Sequence, residues 1–407
     1  MDSKIFTLQG KGLKLNSAAD IAPYLENIDP AQIEEIHLGG NTIGVEAAEA
    51  LGKFLEKAVA LEARWHITSF EILSWSYNAH TQTADFADIF TGRLISEVPK
   101  ALGYICDALE TRPSLLEIDL SDNAFGSRCV HQIVPLLKNN RSFRILRLNN
   151  NGLGPEGGQA IANALLESAK TSKSEGKKSN LRVIICGRNR LENGSAPAWA
   201  EALAAHGNLD AVRMPQNGIG MEGIMALAKG LAQIPSLRHI DLQDNTFTSN
   251  GELHGVDAWA QSLKFWPKLQ ILNLSDCFLS TDGEVPRLLK VLAQGSNPGL
   301  RLLHLQNNNL DSASFDLLAQ NIGDNLKNLA LLELQWNDLS EDDESLETLD
   351  LALKARGGKL YVTDDDEEEE GEEEEEQEYE VDLRKVPPAV DKATNDLADL
   401  LAKTRIF

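Results

Sequence analysis

The sequence predicts an α/β solenoid shaped like a horseshoe, with parallel strands on its concave side and helices on its convex side. Three observations predict it: a recurring eleven-residue pattern, a regular spacing between its copies, and a helical pattern between them. Nine segments fit the leucine-rich pattern L-x-x-L-x-L-x-x-N-x-L in register. Eight of them carry Asn at the ninth position, namely Asn41, Asn123, Asn151, Asn189, Asn217, Asn245, Asn308 and Asn337. The remaining one, residues 269–279, has Cys277 there.

The pattern has a physical cause. Its apolar positions alternate as they do along a short strand with one buried face, and an Asn side chain can bond backbone groups where the chain turns. We therefore assign the eight Asn residues a structural role in the repeat.

The rest of each repeat is predicted to be helical. The Asn positions 123 and 151, 189 and 217, and 217 and 245 are each 28 residues apart. Residues 222–231 place apolar side chains three and four apart, as on one face of a helix. A strand and a full helix in each long repeat indicate a leucine-rich-repeat solenoid of the ribonuclease-inhibitor type.

The repeats predict one elongated domain over residues 1–358, with about ten to eleven repeats, although 407 residues alone would suggest two or three domains. We expect a solvated loop at residues 170–179 and a last strand at residues 359–362. Residues 359–383 form an acidic segment that should be disordered. The tail, residues 384–407, contains an amphipathic helix candidate at 396–403.

One interval is too long for the repeat. Asn41 and Asn123 are 82 residues apart, against 56 for two repeats, and we expect the intervening strand near residues 84–86. Residues 63–82 then have no place in the pattern. They are either a binding insertion or, as we favour, the translation of an unspliced intron, which mature messenger RNA encoding them would refute.

The charge of the chain bears on its partners. The formal net charge is −24, and residues 364–380 hold 14 of the acidic residues. Nucleic acids and anionic membranes attract Lys and Arg, so we expect this acidic chain to bind neither of them. A basic protein is the natural complement.

No apolar run could span a membrane, no signal core is present, and the four cysteines lie far apart. We expect a cytoplasmic monomer.

The sequence offers little support for self-contained catalysis. Residues 152–157 read G-x-G-x-x-G, but these glycines follow Asn151 in repeat phase, so we interpret them as structural. No G-x-x-x-x-G-K-[ST], H-E-x-x-H or G-x-S-x-G motif occurs. We expect no cofactor and no metal site.

Three stretches go beyond what the scaffold requires: residues 85–93, 148–154 and 186–195. In the second, Asn151 fills the structural position, which leaves Asn149 and Asn150 displayed at the end of a strand. Asn150 could instead serve only to form the turn, and Arg93 in the first stretch could serve only in a salt bridge along the rim.

These stretches resemble the Ran GTPase-activating proteins, in particular the fungal members. The resemblance covers residues 1 to about 350 and includes residues 9–15, 38–44, 88–93 and 120–126, with its most specific parts at 186–195 and 241–248. The acidic run also matches. The chain departs from the family at residues 63–82 and at Ile95, where the family often has Lys, and its tail is too short for the SUMO-conjugated domain of animal members.

The resemblance implies activation of GTP hydrolysis by Ran, without an arginine finger and in support of nucleocytoplasmic transport. Asn150 would help to order Ran's catalytic glutamine, since an amide both donates and accepts hydrogen bonds. Arg93, Asn149, Asp122 and Arg188 would bind the partner. GTP and Mg²⁺ would belong to Ran in its GTP-bound form, and a Ran-binding protein is a further expected partner.

Two other functions share the same fold arguments. One is a non-catalytic leucine-rich scaffold or inhibitor that binds a basic protein. The other is a histone-type chaperone that depends on the acidic tail. Phosphate release from GTP-loaded Ran separates the activator from the scaffold. Deletion of the tail should abolish the function of a chaperone but cause only a modest, salt-sensitive loss in an activator.

Overall fold

The structure, a computed structural model, describes residues 4–58, 83–113, 115–281, 283–339 and 343–363. Its main sheet has twelve parallel strands in chain order, and β2 and β4 form a separate two-stranded sheet. The strands are β1 (Ile5–Thr7), β2 (Lys14–Leu15), β3 (Glu35–His37), β4 (Thr42–Ile43), β5 (Thr83–Asp85), β6 (Glu117–Asp119) and β7 (Ile145–Arg147). They continue as β8 (Val183–Ile185), β9 (Ala211–Arg213), β10 (His239–Asp241), β11 (Ile271–Asn273), β12 (Leu302–His304), β13 (Leu331–Glu333) and β14 (Lys359–Tyr361).

Helices connect successive strands and pack side by side. They are α1 (Ala18–Leu25), α2 (Val45–Leu55), α3 (Val98–Glu110), α4 (Val130–Asn139), α5 (Gly154–Ser174) and α6 (Glu192–His206). The series continues with α7 (Met221–Leu231), α8 (His254–Ser262), α9 (Arg287–Ala293), α10 (Ser312–Asn321) and α11 (Glu344–Lys354). Each β–α unit leads to the next parallel strand, which confirms the predicted leucine-rich-repeat solenoid.

The core lies between the sheet and the helices. The middle residue of each short strand faces the helices, and Ile118, Leu146 and Ile184 are paired in register and buried. The residues on either side of it face the concave surface, because side chains alternate along a strand. The concave surface therefore carries two side chains from each strand.

The repeat Asn residues join neighbouring repeats. Asn151 is fully buried, and its Oδ1 accepts from the backbone N–H of Asn123 at 3.0 Å. Its Nδ2 donates to the carbonyls of Leu120 at 2.9 Å and Leu148 at 3.2 Å. Asn189 accepts from Asn151 in the same way, at 3.0 Å. These bonds satisfy backbone groups that a turn would otherwise bury without partners.

All nine pattern matches contain a strand, and two expected strands outside the pattern are also present, as β5 and β14. The strand β1 was not expected. Its pairing with β3 aligns Lys11 with Asn41, so the position that normally identifies the repeat carries Lys. Ile89 occupies that position after β5, and its N–H donates to Asn123 Oδ1 at 2.9 Å.

The expected loop at residues 170–179 is partly wrong, since α5 continues to Ser174. Ala169 and Ser172 remain buried on the inner face of the helix, so packing holds this last turn despite its polar composition. The helix ends before Gly176, which adopts a φ of 72°.

Three expectations lie outside the described residues: the insertion at 63–82, the acidic run at 364–380 and the helix candidate at 396–403. Within the described part of the chain, no helix is both long and apolar enough to cross a membrane.

Candidate functional site

A row of left-handed residues follows the strands along one rim of the horseshoe. The residue directly before each repeat Asn, or before the residue aligned with it, has a φ between 46° and 71°. This conformation turns the chain so that the Asn enters the core while the preceding side chain stays on the surface. We call this row the rim ladder; its described members are Gly10, Gly40, Asp88, Asp122, Asn150, Arg188, Gln216, Asp244, Asp276, Asn307 and Trp336.

Backbone hydrogen bonds hold the ladder in register. The N–H of Asp122 donates to the carbonyl of Asn149, and the N–H of Asn150 donates to that of Gly187, each at 2.9 Å. Residues in adjacent repeats are therefore neighbours on the rim, although about 28 residues separate them in the chain.

Asn150 is exposed, as the sequence predicted, and its backbone has a φ of 51°. Its side-chain Nδ2 donates to Asp122 Oδ1 at 2.9 Å. Asn is one of the few residues that adopt this backbone conformation readily, so Asn150 also meets the needs of the turn. Its role in binding or activation stays a prediction.

Asn149 differs from its neighbour. It is half-buried, and its Oδ1 accepts from the N–H of Gly187 at 2.6 Å. Its own N–H donates to Ser121 Oγ at 3.1 Å. The structure thus displays Asn150 more openly than Asn149, whose side chain already links two repeats.

Arg93 lies on the loop after β5 and reaches back to the first two repeats. Its Nε donates to Thr42 Oγ1 at 2.9 Å, and one terminal nitrogen donates to the carbonyls of Thr42 at 3.0 Å and Leu15 at 3.3 Å. These are bonds to neutral oxygens at the ends of β2 and β4, whereas the alternative interpretation expected a salt bridge. The guanidinium fixes the loop that leads into the exposed Leu94 and Ile95.

Arg188 is exposed on the rim ladder, next to Asn150, with a φ of 54°. A long side chain in this conformation is unusual, because the left-handed region favours Gly, Asn and Asp. Asp122, Asn150 and Arg188 occupy successive positions on the ladder, so the structure brings three of the predicted site residues together.

The concave surface is acidic at strands β3, β5 and β6, on the Asp122 side of Asn150, whereas β7 and β8 contribute apolar residues and Arg147. Glu35 and Asp85 flank His37 at 3.2 and 3.3 Å, and the hydrogen bond to Asp85 is the main reason that the pKa of His37 is raised. Burial raises the pKa of Asp119 to about 6, against the attraction of Arg147. Such a surface suits a partner with basic side chains.

The geometry gives no support to a metal or dinucleotide site in the described residues. No group of three or more His, Cys, Asp or Glu side chains could hold a metal ion in the part of the chain that the structure describes. Gly152 and Gly154 have positive φ, and a Cβ on Gly157 would lie 3.2 Å from Val130. The glycines therefore serve the turn and the packing of α5, in agreement with the structural interpretation.

Sequence reasoning missed the rim ladder as a set. It selected Asp122, Asn150 and Arg188 but passed over the remaining polar and aromatic members, which are Asp88, Gln216, Asp244, Asp276, Asn307 and Trp336. Their fixed place, directly before the position of the repeat Asn, is the signal that could have identified them.

Comparison with known proteins extends these observations. The leucine-rich-repeat family model matches residues 139–162. Ran GTPase-activating protein 1 of Saccharomyces cerevisiae is 36% identical over 355 residues, which are 86% of this chain and 82% of the yeast protein. Ran GTPase-activating protein 1 of Xenopus laevis is 43% identical over 217 residues, covering 52% of this chain and 34% of that protein.

The Ran GTPase-activating protein of Drosophila melanogaster is 33% identical over 236 residues, which are 57% of this chain and 36% of that protein. The chain thus spans most of the yeast relative and about a third of the two animal relatives. Since the similarity to the yeast protein extends over most of both chains, this chain belongs to the family of Ran GTPase-activating proteins.

Proposed function

We propose that this protein stimulates GTP hydrolysis by a Ran-type small GTPase in its GTP-bound form. In this proposal it acts in trans and supplies no arginine finger. Asn150 hydrogen-bonds to the catalytic glutamine of the GTPase and orders it for the attack of water. GTP and Mg²⁺ belong to the GTPase.

One observation carries the assignment of Asn150. It combines an exposed amide with a rigid support, because its backbone N–H bonds to Gly187 and its Nδ2 bonds to Asp122, each at 2.9 Å. Ordering a mobile catalytic group lowers the activation barrier only when the group that orders it is itself fixed. Asn149, with its Oδ1 already bonded to Gly187, is less available for this role.

The acidic concave surface supports the choice of a basic partner. Glu35, Asp85, Glu117 and Asp119 come from the adjacent strands β3, β5 and β6, on the same part of the solenoid as Asn150. Their charges would steer a basic GTPase and raise the association rate more than the final affinity. In the same proposal Arg93 acts indirectly, by holding the loop that carries Leu94 and Ile95 against the partner.

The wider expectations follow from the same proposal. The protein would act in the cytoplasm as a monomer, support nucleocytoplasmic transport and bring no cofactor of its own. Asn149 and Arg188 would contact the GTPase close to Asn150, and a Ran-binding protein would be a second partner.

The test is phosphate release from a GTP-loaded Ran-type GTPase in a single turnover, over a range of activator concentrations. Asn150→Ala should lower the maximal stimulated rate at least about tenfold while the half-saturating concentration changes little. Arg93→Ala should instead raise the half-saturating concentration, because the loop loses its bonds to Thr42 and Leu15.

Asn307→Ala is the matched control. Asn307 is an exposed member of the rim ladder with a φ of 49°, and its Nδ2 donates to Asp276 Oδ1 at 2.8 Å. It should keep the full rate. An Asn150→Ala protein with unchanged stimulation would remove Asn150 from the mechanism. A wild-type chain that binds the GTPase without accelerating it would instead be a scaffold or inhibitor.

A further inference from the structure

We propose that Asp122 is a positioning residue, which holds the side-chain amide of Asn150 in the orientation that the GTPase requires. This inference rests on the proposed function of Asn150. It assigns to Asp122 an indirect role in place of the partner contact that the sequence suggested.

The two side chains meet across adjacent repeats. Asn150 Nδ2 donates to Asp122 Oδ1 at 2.9 Å, and both residues are exposed members of the rim ladder. Their backbones are fixed independently of this contact, by the bonds from their own N–H groups to Asn149 and Gly187 at 2.9 Å. The hydrogen bond therefore joins two anchored residues and restricts the remaining freedom of the Asn150 side chain.

A carboxylate also decides which way the amide faces. The two ends of an Asn side chain have nearly the same shape, but an ionised carboxylate only accepts hydrogen bonds. Asp122 therefore selects the NH₂ end of Asn150 and turns its Oδ1 away. In this orientation Oδ1 is the group that accepts a hydrogen bond from the amide of a partner glutamine. Without Asp122 the amide would rotate, and part of the population would present the wrong end.

The chain contains a matched pair on the same rim. Asn307 Nδ2 donates to Asp276 Oδ1 at 2.8 Å, with positive φ at both residues. This second pair has the same left-handed backbone and the same hydrogen bond, although Asp276 Oδ2 also accepts from Gln243 Nε2 at 3.2 Å. It lies five positions further along the ladder, at the ends of β11 and β12. It separates the effect of an Asp–Asn pair as such from the effect of the pair that contains Asn150.

The experiment is a double-mutant cycle in the phosphate-release assay, with full-length protein at saturating concentration. Asp122→Ala should lower the maximal stimulated rate about tenfold, with the half-saturating concentration within about twofold of the wild type. In the Asn150→Ala background the same substitution should change the rate by less than about twofold, because there is no amide left to orient.

Two further variants complete the cycle. Asp122→Asn should give a rate between those of the wild type and Asp122→Ala, since its amide can still hydrogen-bond to Asn150 but no longer selects the NH₂ end. Asp276→Ala should keep the wild-type maximal rate. Alanine is compatible with the turn, because Ala124 has a φ of 49° in the wild-type chain. Unfolding midpoints of Asp122→Ala and Asp276→Ala close to that of the wild type would establish that both variants are folded.

The outcomes separate the positioning role of Asp122 from the proposed role of Asn150 in activation. A wild-type chain without stimulation, or an Asn150→Ala chain with full stimulation, overturns both. If Asn150→Ala is slow but Asp122→Ala has the wild-type rate, only the positioning role is overturned. The positioning role is also overturned if Asp122→Ala slows the Asn150→Ala protein tenfold again, since Asp122 would then act on the partner directly. It is overturned as well if Asp276→Ala slows the reaction as much as Asp122→Ala does.

Discussion

Replacing Asn217 with alanine should destabilise the solenoid strongly. Asn217 is fully buried, and its Oδ1 accepts from the N–H of Asn189 at 2.9 Å. Its Nδ2 donates to the carbonyls of Cys186 at 2.8 Å and Met214 at 3.0 Å. The substitution leaves one buried donor and two buried acceptors without these partners, and each such group costs about 1–3 kcal/mol. Because water can partly replace the lost amide, we expect a loss of about 3–5 kcal/mol in the free energy of unfolding.

The measurement is urea-induced unfolding followed by circular dichroism, with the midpoint and slope compared between variants. The control is Gln216→Ala, one residue earlier, because Gln216 is exposed and should contribute less than about 0.5 kcal/mol. Asn217→Cys should be intermediate, since Cys277 occupies the same repeat position and its Sγ donates to Leu242 and Ser275 at 3.3 Å. A loss below about 1 kcal/mol for Asn217→Ala would refute the claim that these hydrogen bonds contribute net stability.

Two further predictions concern pH and packing. Burial raises the pKa of Asp119 from 3.8 to about 6, so the folded state holds this proton more tightly than the unfolded chain and stability falls as pH rises from about 4 to about 6. The side chain is 20% exposed, so solvent reduces the effect, and Asp119→Asn should remove about 1–2 kcal/mol of this fall in stability. The measurement is the difference between the unfolding free energies at pH 4 and pH 7. An unchanged difference would contradict burial of Asp119 as the cause. Gly255→Ala should cost about 2–4 kcal/mol in thermal or urea unfolding, because its Cβ would lie 2.2 Å from the carbonyl oxygen of Phe247. Gly323→Ala, which meets no atom within 4 Å, should change stability by less than about 1 kcal/mol, and equal losses for both would show that the close contact is not the cause.

Most of the fold could be predicted from the sequence because the repeat imposes it locally. The alternating apolar residues recur in all nine pattern matches and the turn Asn in eight of them, so each match predicts its own strand. The exceptions arose where that signal was weak. β1 has Lys11 at the Asn position, and the end of α5 combines a polar composition with buried contacts at Ala169 and Ser172.

The candidate site was less accessible to sequence reasoning. Asn150 came from the resemblance to a family, and its exposure agrees with that expectation. The contacts that hold it were not predicted, although Asp122 and Asn150 are 28 residues apart and so occupy equivalent positions in adjacent repeats. Arg93 lies 51 residues from Thr42 and 78 from Leu15, and no local pattern indicates such bonds.

The rim ladder also shows why residue type alone is weak evidence for function at this site. A left-handed turn favours Gly, Asn and Asp, and eight of the eleven described ladder positions carry one of these residues. Asn150 and Asp122 are therefore residues that the backbone would select in any case. Arg188, Gln216 and Trp336 are not, so the backbone conformation gives no reason for these three residue types. What distinguishes Asn150 is its oriented amide beside Arg188 and the acidic strands, and this is why its role must be tested through the pair that it forms with Asp122.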